Sequence, residues 1–151
     1  MSRHFLRKQL FYLLFRKEFF DDSELGEQEK LFFLQDDIED RYEGTDIWDE
    51  EEETEEERMD EAAREEISVR FNNVLKVLPE IDKELNEKMS GWTTDRLGKV
   101  ELTLLRIALY EMRYDDDISD AIAINEAVEL ARKYGQEKSS EFVNGVLAKL
   151  V

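Results

Sequence analysis

The chain of 151 residues contains no cysteine, one histidine and one proline. The lack of cysteine excludes disulfide scaffolds, cysteine nucleophiles and thiolate metal sites. The single histidine, His4, leaves little room for a histidine-rich metal site or a catalytic relay. No apolar run approaches the ~20 residues that a membrane-spanning helix needs, and the first residues lack a signal-peptide pattern. We therefore expect a cytoplasmic protein without a membrane span.

The low content of glycine and proline favours a helical fold. The chain has six glycines, while 41% of its residues are hydrophobic and 40% are charged. This composition disfavours turn-rich sandwiches and barrels and predicts long helices. We expect one all-α domain over residues 1–151 with about seven helices, an N-terminal half at 1–78 and a C-terminal half at 79–151.

The formal charge of −18 is concentrated in one segment. Residues 1–20 carry five basic side chains and one acidic side chain, whereas residues 21–61 carry 21 acidic and three basic side chains. Because a dense acidic run repels itself and buries nothing, we interpret residues 43–57 as a solvated, mobile loop or a frayed helix extension. A sharper interpretation is that this acidic segment mimics nucleic acid, or shields the basic N-terminus until RNA displaces it.

Apolar periodicity predicts where the helices begin and end. The pattern from Ala63 to Leu78 stops at Pro79, which lacks an amide donor and disfavours helix before it, so we predict a helix end there and a short helix after it. Residues 93–113 carry apolar side chains on two faces, which predicts a central helix. The remaining stripe of that helix comprises Lys99, Thr103, Arg106, Tyr110 and Arg113. We interpret the stripe as an edge offered to a partner or as a solvated face with intrahelical pairs.

Two glycines lie on or next to predicted helices. Gly135 follows a helix that Ser119 caps, at a position where a left-handed residue commonly ends a helix. Gly145 lies within the last helix, where glycine costs about 1 kcal/mol relative to alanine. Close packing of another helix against Gly145 would explain its presence.

Sequence motifs for catalysis are absent. There is no phosphate-binding glycine loop, GxSxG elbow or HExxH motif, and most carboxylates lie in exposed runs rather than in a cleft that would raise one pKa. The acidic segment also lacks the alternating ligands and central glycine of a calcium loop. We predict that the protein is not an enzyme and has no metal site and no cofactor.

The C-terminal part of the chain contains three sequence motifs in this order: LLRIA at 104–108, AINEAVELA at 123–131 and FVNGVL at 142–147. Together with the basic first helix, they resemble the NusB family of transcription antitermination factors. The resemblance covers residues 3–20 and about 58–151, and it lapses in the acidic segment. It implies a NusB-like all-α protein of two small helical subdomains, with an acidic loop insertion, that performs no reaction.

The resemblance also implies the function and the partners. Members of the family bind a boxA sequence in nascent single-stranded RNA together with NusE, a ribosomal small-subunit protein. The complex helps RNA polymerase read through terminators, chiefly in ribosomal RNA operons, as part of an antitermination complex. Members of the family occur as monomers and as dimers, so the choice between a monomer and a homodimer stays open for this chain.

Individual site residues follow from the same resemblance. The resemblance places RNA contacts on Arg3, His4, Arg7, Tyr12, Phe15, Glu101, Lys138 and Phe142. We add Lys8 to this set because its positive charge can neutralise a phosphate. The implied surface for NusE includes Lys99, Glu101, Thr103, Arg106, Tyr110 and Arg113. Cations can neutralise phosphates and aromatic rings can engage unstacked bases. For Tyr12 and Phe15, burial in the core is the competing interpretation, and we favour it.

Departures from the family pattern keep two alternatives open. His4, Phe5 and Ala121 stand where basic residues are common, which predicts weak RNA binding by the protein alone and dependence on NusE. One alternative is a protein-only interaction module on the same fold, with RNA binding weakened or lost. The other is the NusB-like N-terminal domain of some ribosomal RNA cytosine methyltransferases, which requires a gene longer than this sequence.

Overall fold

The computed structural model describes residues 2–39 and 59–151, with side chains described at 2–34 and 59–151. Within these ranges the secondary structure consists of helices and short 3-10 turns, without a strand, which confirms the all-α fold. The α-helices are α1 Arg3–Phe15, α2 Leu25–Glu39, α3 Glu61–Lys88, α4 Lys99–Tyr114, α5 Asp120–Tyr134 and α6 Ser139–Ala148. None of these described helices combines the length and the hydropathy that a bilayer crossing requires. The acidic segment lies outside the described residues.

Two compact units divide the chain, unit 1 at Met1–Phe71 and unit 2 at Asn72–Val151. The first turns of α3 belong to unit 1 and its later turns belong to unit 2. Each unit contains its own set of buried apolar side chains.

Unit 1 buries aromatic and aliphatic side chains of α1, α2 and the start of α3. The buried set is Phe5, Leu6, Leu10, Phe11, Leu13, Leu14, Leu25, Phe32, Ala63, Ile67 and Phe71. After α1, Arg16 donates a hydrogen bond of 3.3 Å to the side chain of Gln28, and its guanidinium lies 5.5 Å from the ring centroid of Phe32. The hydroxyl of Ser68 donates a short hydrogen bond to the carboxylate of Glu29, which joins α3 to α2.

Helix α4 is the central element of unit 2, as the sequence predicts. Every position from Leu102 to Leu109 is buried, and α5 and α6 pack against α4 and against each other. The hydroxyl of Ser119 accepts a hydrogen bond of 3.3 Å from the amide of Ile122 and so caps α5. The predicted cap therefore holds, and the three helices form a packed group.

The predicted helix end at Pro79 is wrong, because α3 continues through this residue to Lys88. A proline inside a helix costs about 3 kcal/mol. Pro79 is exposed, whereas Leu78 and Ile81 beside it are buried. Burial of one such side chain contributes about 1.5–3 kcal/mol, so the apolar face that continues past the proline offsets its cost. The two helices predicted on either side of Pro79 are one helix.

The structure gives both glycines roles that differ from the expected ones. Gly135 ends α5 with a φ of −91°, which is not left-handed. A Cβ at Gly135 would lie 2.5 Å from the Cβ of Ser139 and 2.7 Å from the carbonyl oxygen of Ala131, so glycine is needed for a close approach. Gly145 is exposed, and among the described residues a Cβ there would meet no atom outside its own helix backbone within 4 Å. The expected close packing at Gly145 is therefore wrong.

Replacing Gly145 with alanine should stabilise the protein. We expect Gly145→Ala to raise the free energy of unfolding by up to about 1 kcal/mol, because alanine restricts the unfolded chain and nothing opposes its methyl group. Gly135→Ala is the matched control and should lower the free energy of unfolding, because its Cβ overlaps Ser139. Urea unfolding followed by circular dichroism measures both variants. A loss of stability in Gly145→Ala would contradict the structural argument.

Candidate nucleic-acid interface

The first two turns of α1 carry the predicted basic residues of unit 1. The hydroxyl of Ser2 accepts a hydrogen bond of 3.1 Å from a backbone amide of the first turn and so starts the helix. Arg3 and His4 are exposed and Lys8 is half-buried, whereas Arg7 is only 6% exposed. Because residues four apart share a helix face, Arg3 lies above Arg7 and His4 lies above Lys8. Three of the four basic side chains thus reach the surface of α1.

The predicted aromatic residues of α1 lie partly in the core and partly at the surface. The ring of Phe15 is 6.0 Å from that of the buried Phe11 and 5.1 Å from that of the exposed Phe19. Tyr12 lies 5.9 Å from Phe11 by ring centroids. Tyr12 and Phe15 are both half-buried and neither belongs to the buried core, so the choice between core packing and RNA contact stays a prediction.

Three predicted RNA-binding residues of unit 2 meet where α4 and α6 begin. The hydroxyl of Ser139 donates a short hydrogen bond to the carboxylate of Glu101 and accepts one of 2.8 Å from the amide of Gln136. Lys138 precedes Ser139 and is exposed. The amide of Phe142 donates to the carbonyl of Lys138 at 3.1 Å, one turn into α6. Glu101, Lys138 and Phe142 therefore share one end of unit 2.

Two glycines make room for this arrangement. Gly98 is the N-cap of α4, and a Cβ there would overlap the carboxylate of Glu101, which folds back over the start of its own helix. A carboxylate in the first turn of a helix is also favoured by the helix dipole. Gly135 leaves the space that the buried Ser139 occupies. The position of Ser139 thus requires glycine at 135, while glycine at 98 leaves the carboxylate of Glu101 in its present rotamer.

Trp92 belongs to the same end of unit 2 and was missed by the sequence analysis. Its ring lies 6.1 Å from that of Phe142, with an angle of 69° between the ring planes, and Trp92 is 51% exposed. The residue lies between helices, where apolar periodicity has no meaning. The available signal was a tryptophan directly after Ser90 and Gly91, two residue types that commonly end a helix.

The polar stripe on α4 is not an open edge at its centre. Thr103 is buried, and its hydroxyl donates a hydrogen bond of 2.7 Å to the carbonyl of Lys99. Arg106 is only 7% exposed and donates two hydrogen bonds of 2.9 Å, from Nε and Nη2, to the two carboxylate oxygens of Asp82. The expected exposure is therefore wrong for Thr103 and Arg106, because α4 is buried there. Their role in partner binding stays a prediction.

The two ends of the stripe reach the surface. Lys99 is exposed and Tyr110 is half-buried, with its ring stacked on that of Tyr114 at 5.6 Å. Arg113 donates hydrogen bonds of 2.9 Å and 2.7 Å to Glu84 and one of 2.6 Å to the carbonyl of Leu150. The hydrogen bonds to Glu84 raise the pKa of Arg113 above its usual value.

Known proteins resemble this chain in both sequence and fold. The NusB family model matches residues 6–151. Transcription antitermination protein NusB of Lachnoclostridium phytofermentans is 41% identical over 151 residues, covering 100% of this chain and 99% of the relative. The solved structure of T. maritima NusB matches with a TM-score of 0.75 and 28% identity, over 99% of this chain and 90% of that chain. A chain in a structure of antitermination factors NusB and NusE in complex with dsRNA matches with a TM-score of 0.70, over 97% of this chain and 92% of that chain; at 23% identity it shows a shared fold alone.

Removing the partner of Arg106 should destabilise the protein strongly. We expect Asp82→Ala to lower the free energy of unfolding by about 3 kcal/mol, because it removes two charge-assisted hydrogen bonds and the opposite charge from a buried guanidinium. Glu129→Ala is the control, since Glu129 and Arg132 form a pair at 2.6 Å whose side chains are 62% and 63% exposed. That change should cost less than about 1 kcal/mol. Urea unfolding measures both, and equal losses would contradict a structural role for the buried pair.

Proposed function

The chain belongs to the NusB family, and on that premise we propose that it is a non-catalytic transcription antitermination factor that binds boxA-like single-stranded RNA together with NusE. A relative named as an antitermination protein aligns over the full length of the chain, which supports the role. A NusB of the same fold has been solved with NusE and dsRNA, which supports NusE and an RNA as partners. The proposed site of action is the RNA polymerase antitermination complex in the cytoplasm, with read-through chiefly of ribosomal RNA operons.

The observation that carries the proposal is the grouping at the end of unit 2. Single-stranded RNA is held by cations near its phosphates and by rings that engage unstacked bases. Lys138 supplies an exposed cation, and Phe142 supplies a half-exposed ring one turn further along α6. Glu101 has a carboxylate oxygen that accepts a hydrogen bond from Ser139, which fixes the carboxylate at the start of α6. We assign the base and phosphate contacts of unit 2 to Phe142 and Lys138.

In unit 1, the exposure of each predicted basic side chain indicates how readily it can reach an RNA phosphate. Arg3 and Lys8 reach the surface of α1 and can contact phosphates, and His4 lies beside them. Arg7 is buried, which limits its access to a phosphate. We therefore assign most of the phosphate contacts of α1 to Arg3 and Lys8.

We propose that NusE binds a surface on α4. The buried residues of the polar stripe stabilise the helix beneath this surface. Lys99, Tyr110 and Arg113 lie at the ends of the stripe and reach the surface. Thr103 and Arg106 hold the helix from inside unit 2.

A protein-only interaction module is the second candidate function. The formal charge of −18 and the burial of Arg7 favour it, because both reduce the attraction of RNA phosphates. In this case NusE or a second copy of the chain would bind, and RNA would not.

Titration of a fluorescent boxA-like RNA separates the two candidates. We expect tight binding only with NusE present, and an affinity that falls with salt by a log–log slope of roughly 0.7 per neutralised phosphate. The double variant Arg3→Ala and Lys8→Ala should reduce that slope by up to about 1.4, because two phosphate contacts are lost. Lys30→Ala with Lys76→Ala is the control, since it removes the same charge from exposed positions on α2 and α3.

Two results would contradict the proposal. If RNA does not bind at low salt in the presence of NusE, the protein-only module is favoured. If the two double variants have the same salt slope, the phosphate contacts do not lie on α1.

A further inference from the structure

The segment between α3 and α4 holds an exposed tryptophan on a well-anchored loop. Met89 is buried at one end of this loop, and Gly91 adopts a left-handed φ of +79°, which favours glycine. On the other side, the side-chain oxygen of Asn86 accepts a hydrogen bond of 2.8 Å from the amide of Thr94. Trp92 lies between these anchors and remains 51% exposed. The loop therefore presents the indole at the surface at a fixed place.

The contact with Phe142 leaves an aromatic face uncovered. The ring planes of Trp92 and Phe142 meet at 69°, in an edge-to-face pair with centroids 6.1 Å apart. In such a pair each ring keeps at least one face that the other ring does not cover. Since Phe142 is half-buried in α6, it holds the indole in position while Trp92 offers its surface to solvent.

We propose that Trp92, held in position by its edge-to-face contact with Phe142, forms a stacking platform for one unstacked base of single-stranded RNA. This inference rests on the proposed function and adds to it a residue that neither the family motifs nor the periodicity identified. Every nucleobase presents a π-face, so a planar base can lie on the indole whatever its identity. The exposed Lys138, one turn before Phe142, can meet a phosphate of the same strand.

The surroundings of Trp92 favour a nucleobase over a protein partner. In a protein interface, a hot-spot ring is buried by the partner and is surrounded by further contacts that exclude water. The neighbours of Trp92 in the loop are exposed or half-buried polar residues: Ser90, Thr93, Thr94 and Asp95. Glu141 lies three residues after Lys138 at the start of α6, so its negative charge offsets part of the positive charge of that lysine. The platform should therefore add stacking energy rather than charge to RNA binding.

The salt dependence of RNA binding tests whether Trp92 contributes stacking energy and not charge. We expect Trp92→Ala to weaken binding of the boxA-like RNA in the presence of NusE by between about 5-fold and 150-fold, the range for loss of one base–aromatic stack. The factor should be the same at every salt concentration, because no phosphate contact is lost. Trp92→Phe should restore most of the affinity. Ile122→Ala is the control and should leave RNA affinity unchanged, since Ile122 has the same exposed fraction of 51% but no ring.

Tryptophan fluorescence supplies a second readout that does not depend on the alanine variant. The chain has two tryptophans, Trp48 and Trp92. The difference in emission between Trp48→Phe and the double variant Trp48→Phe, Trp92→Phe isolates the signal of Trp92, with NusE present in both samples. A base stacked on the indole should quench this difference signal in proportion to the RNA bound.

Each alternative outcome identifies what has failed. If the wild-type chain binds RNA and Trp92→Ala binds it equally well, the platform is overturned while the proposed function stands. If Trp92→Ala loses affinity for NusE in the absence of RNA, the ring contacts protein and the platform is overturned as well. If the wild-type chain with NusE binds no RNA, the proposed function fails and the platform fails with it.

Discussion

Burial of α4 on all sides is the constraint on which unit 2 depends. A helix with eight consecutive buried positions cannot leave a polar group without a partner, because an unpaired buried charge costs several kcal/mol. Thr103 meets this requirement within its own helix, and Arg106 meets it through Asp82 on α3. Arg113 adds contacts to Glu84 on α3 and to the carbonyl of Leu150. These polar groups therefore join α4 to α3 and to the C-terminal end of the chain.

The same packing brings the starts of α4 and α6 together, and there an acidic residue has a structural task. Glu101 accepts a hydrogen bond from Ser139, and glycines at 98 and 135 leave the necessary space. A carboxylate next to RNA would ordinarily repel phosphate. Here the hydroxyl and the start of its own helix stabilise the charged carboxylate, which keeps its negative charge. Glu101 can thus anchor the start of α6, where Lys138 and Phe142 lie.

The positions of most helices could be predicted from the sequence, whereas the packing around individual residues could not. Periodicity and the Ser119 cap are local signals, and they located the helices and the central position of α4. The failure at Pro79 has a physical cause, since the cost of proline is local whereas the compensating burial of Leu78 and Ile81 comes from tertiary packing. For Arg106, periodicity showed which residues share its face, but what covers that face depends on α3. Trp92 lies in a loop, where no periodic signal exists.

Net charge and direct contacts act over different distances, so an acidic chain is compatible with the proposed RNA partner. At physiological ionic strength, charges more than about 8 Å apart are largely screened. The acidic excess is confined in sequence to residues 21–61, whereas residues 62–151 carry 17 acidic and 13 basic side chains. The total charge therefore slows the approach of RNA at low salt, while contacts of a few ångströms determine how long it stays bound. Raising the salt concentration weakens both effects, so repulsion by the acidic excess reduces the observed salt slope below that expected from the phosphate contacts alone.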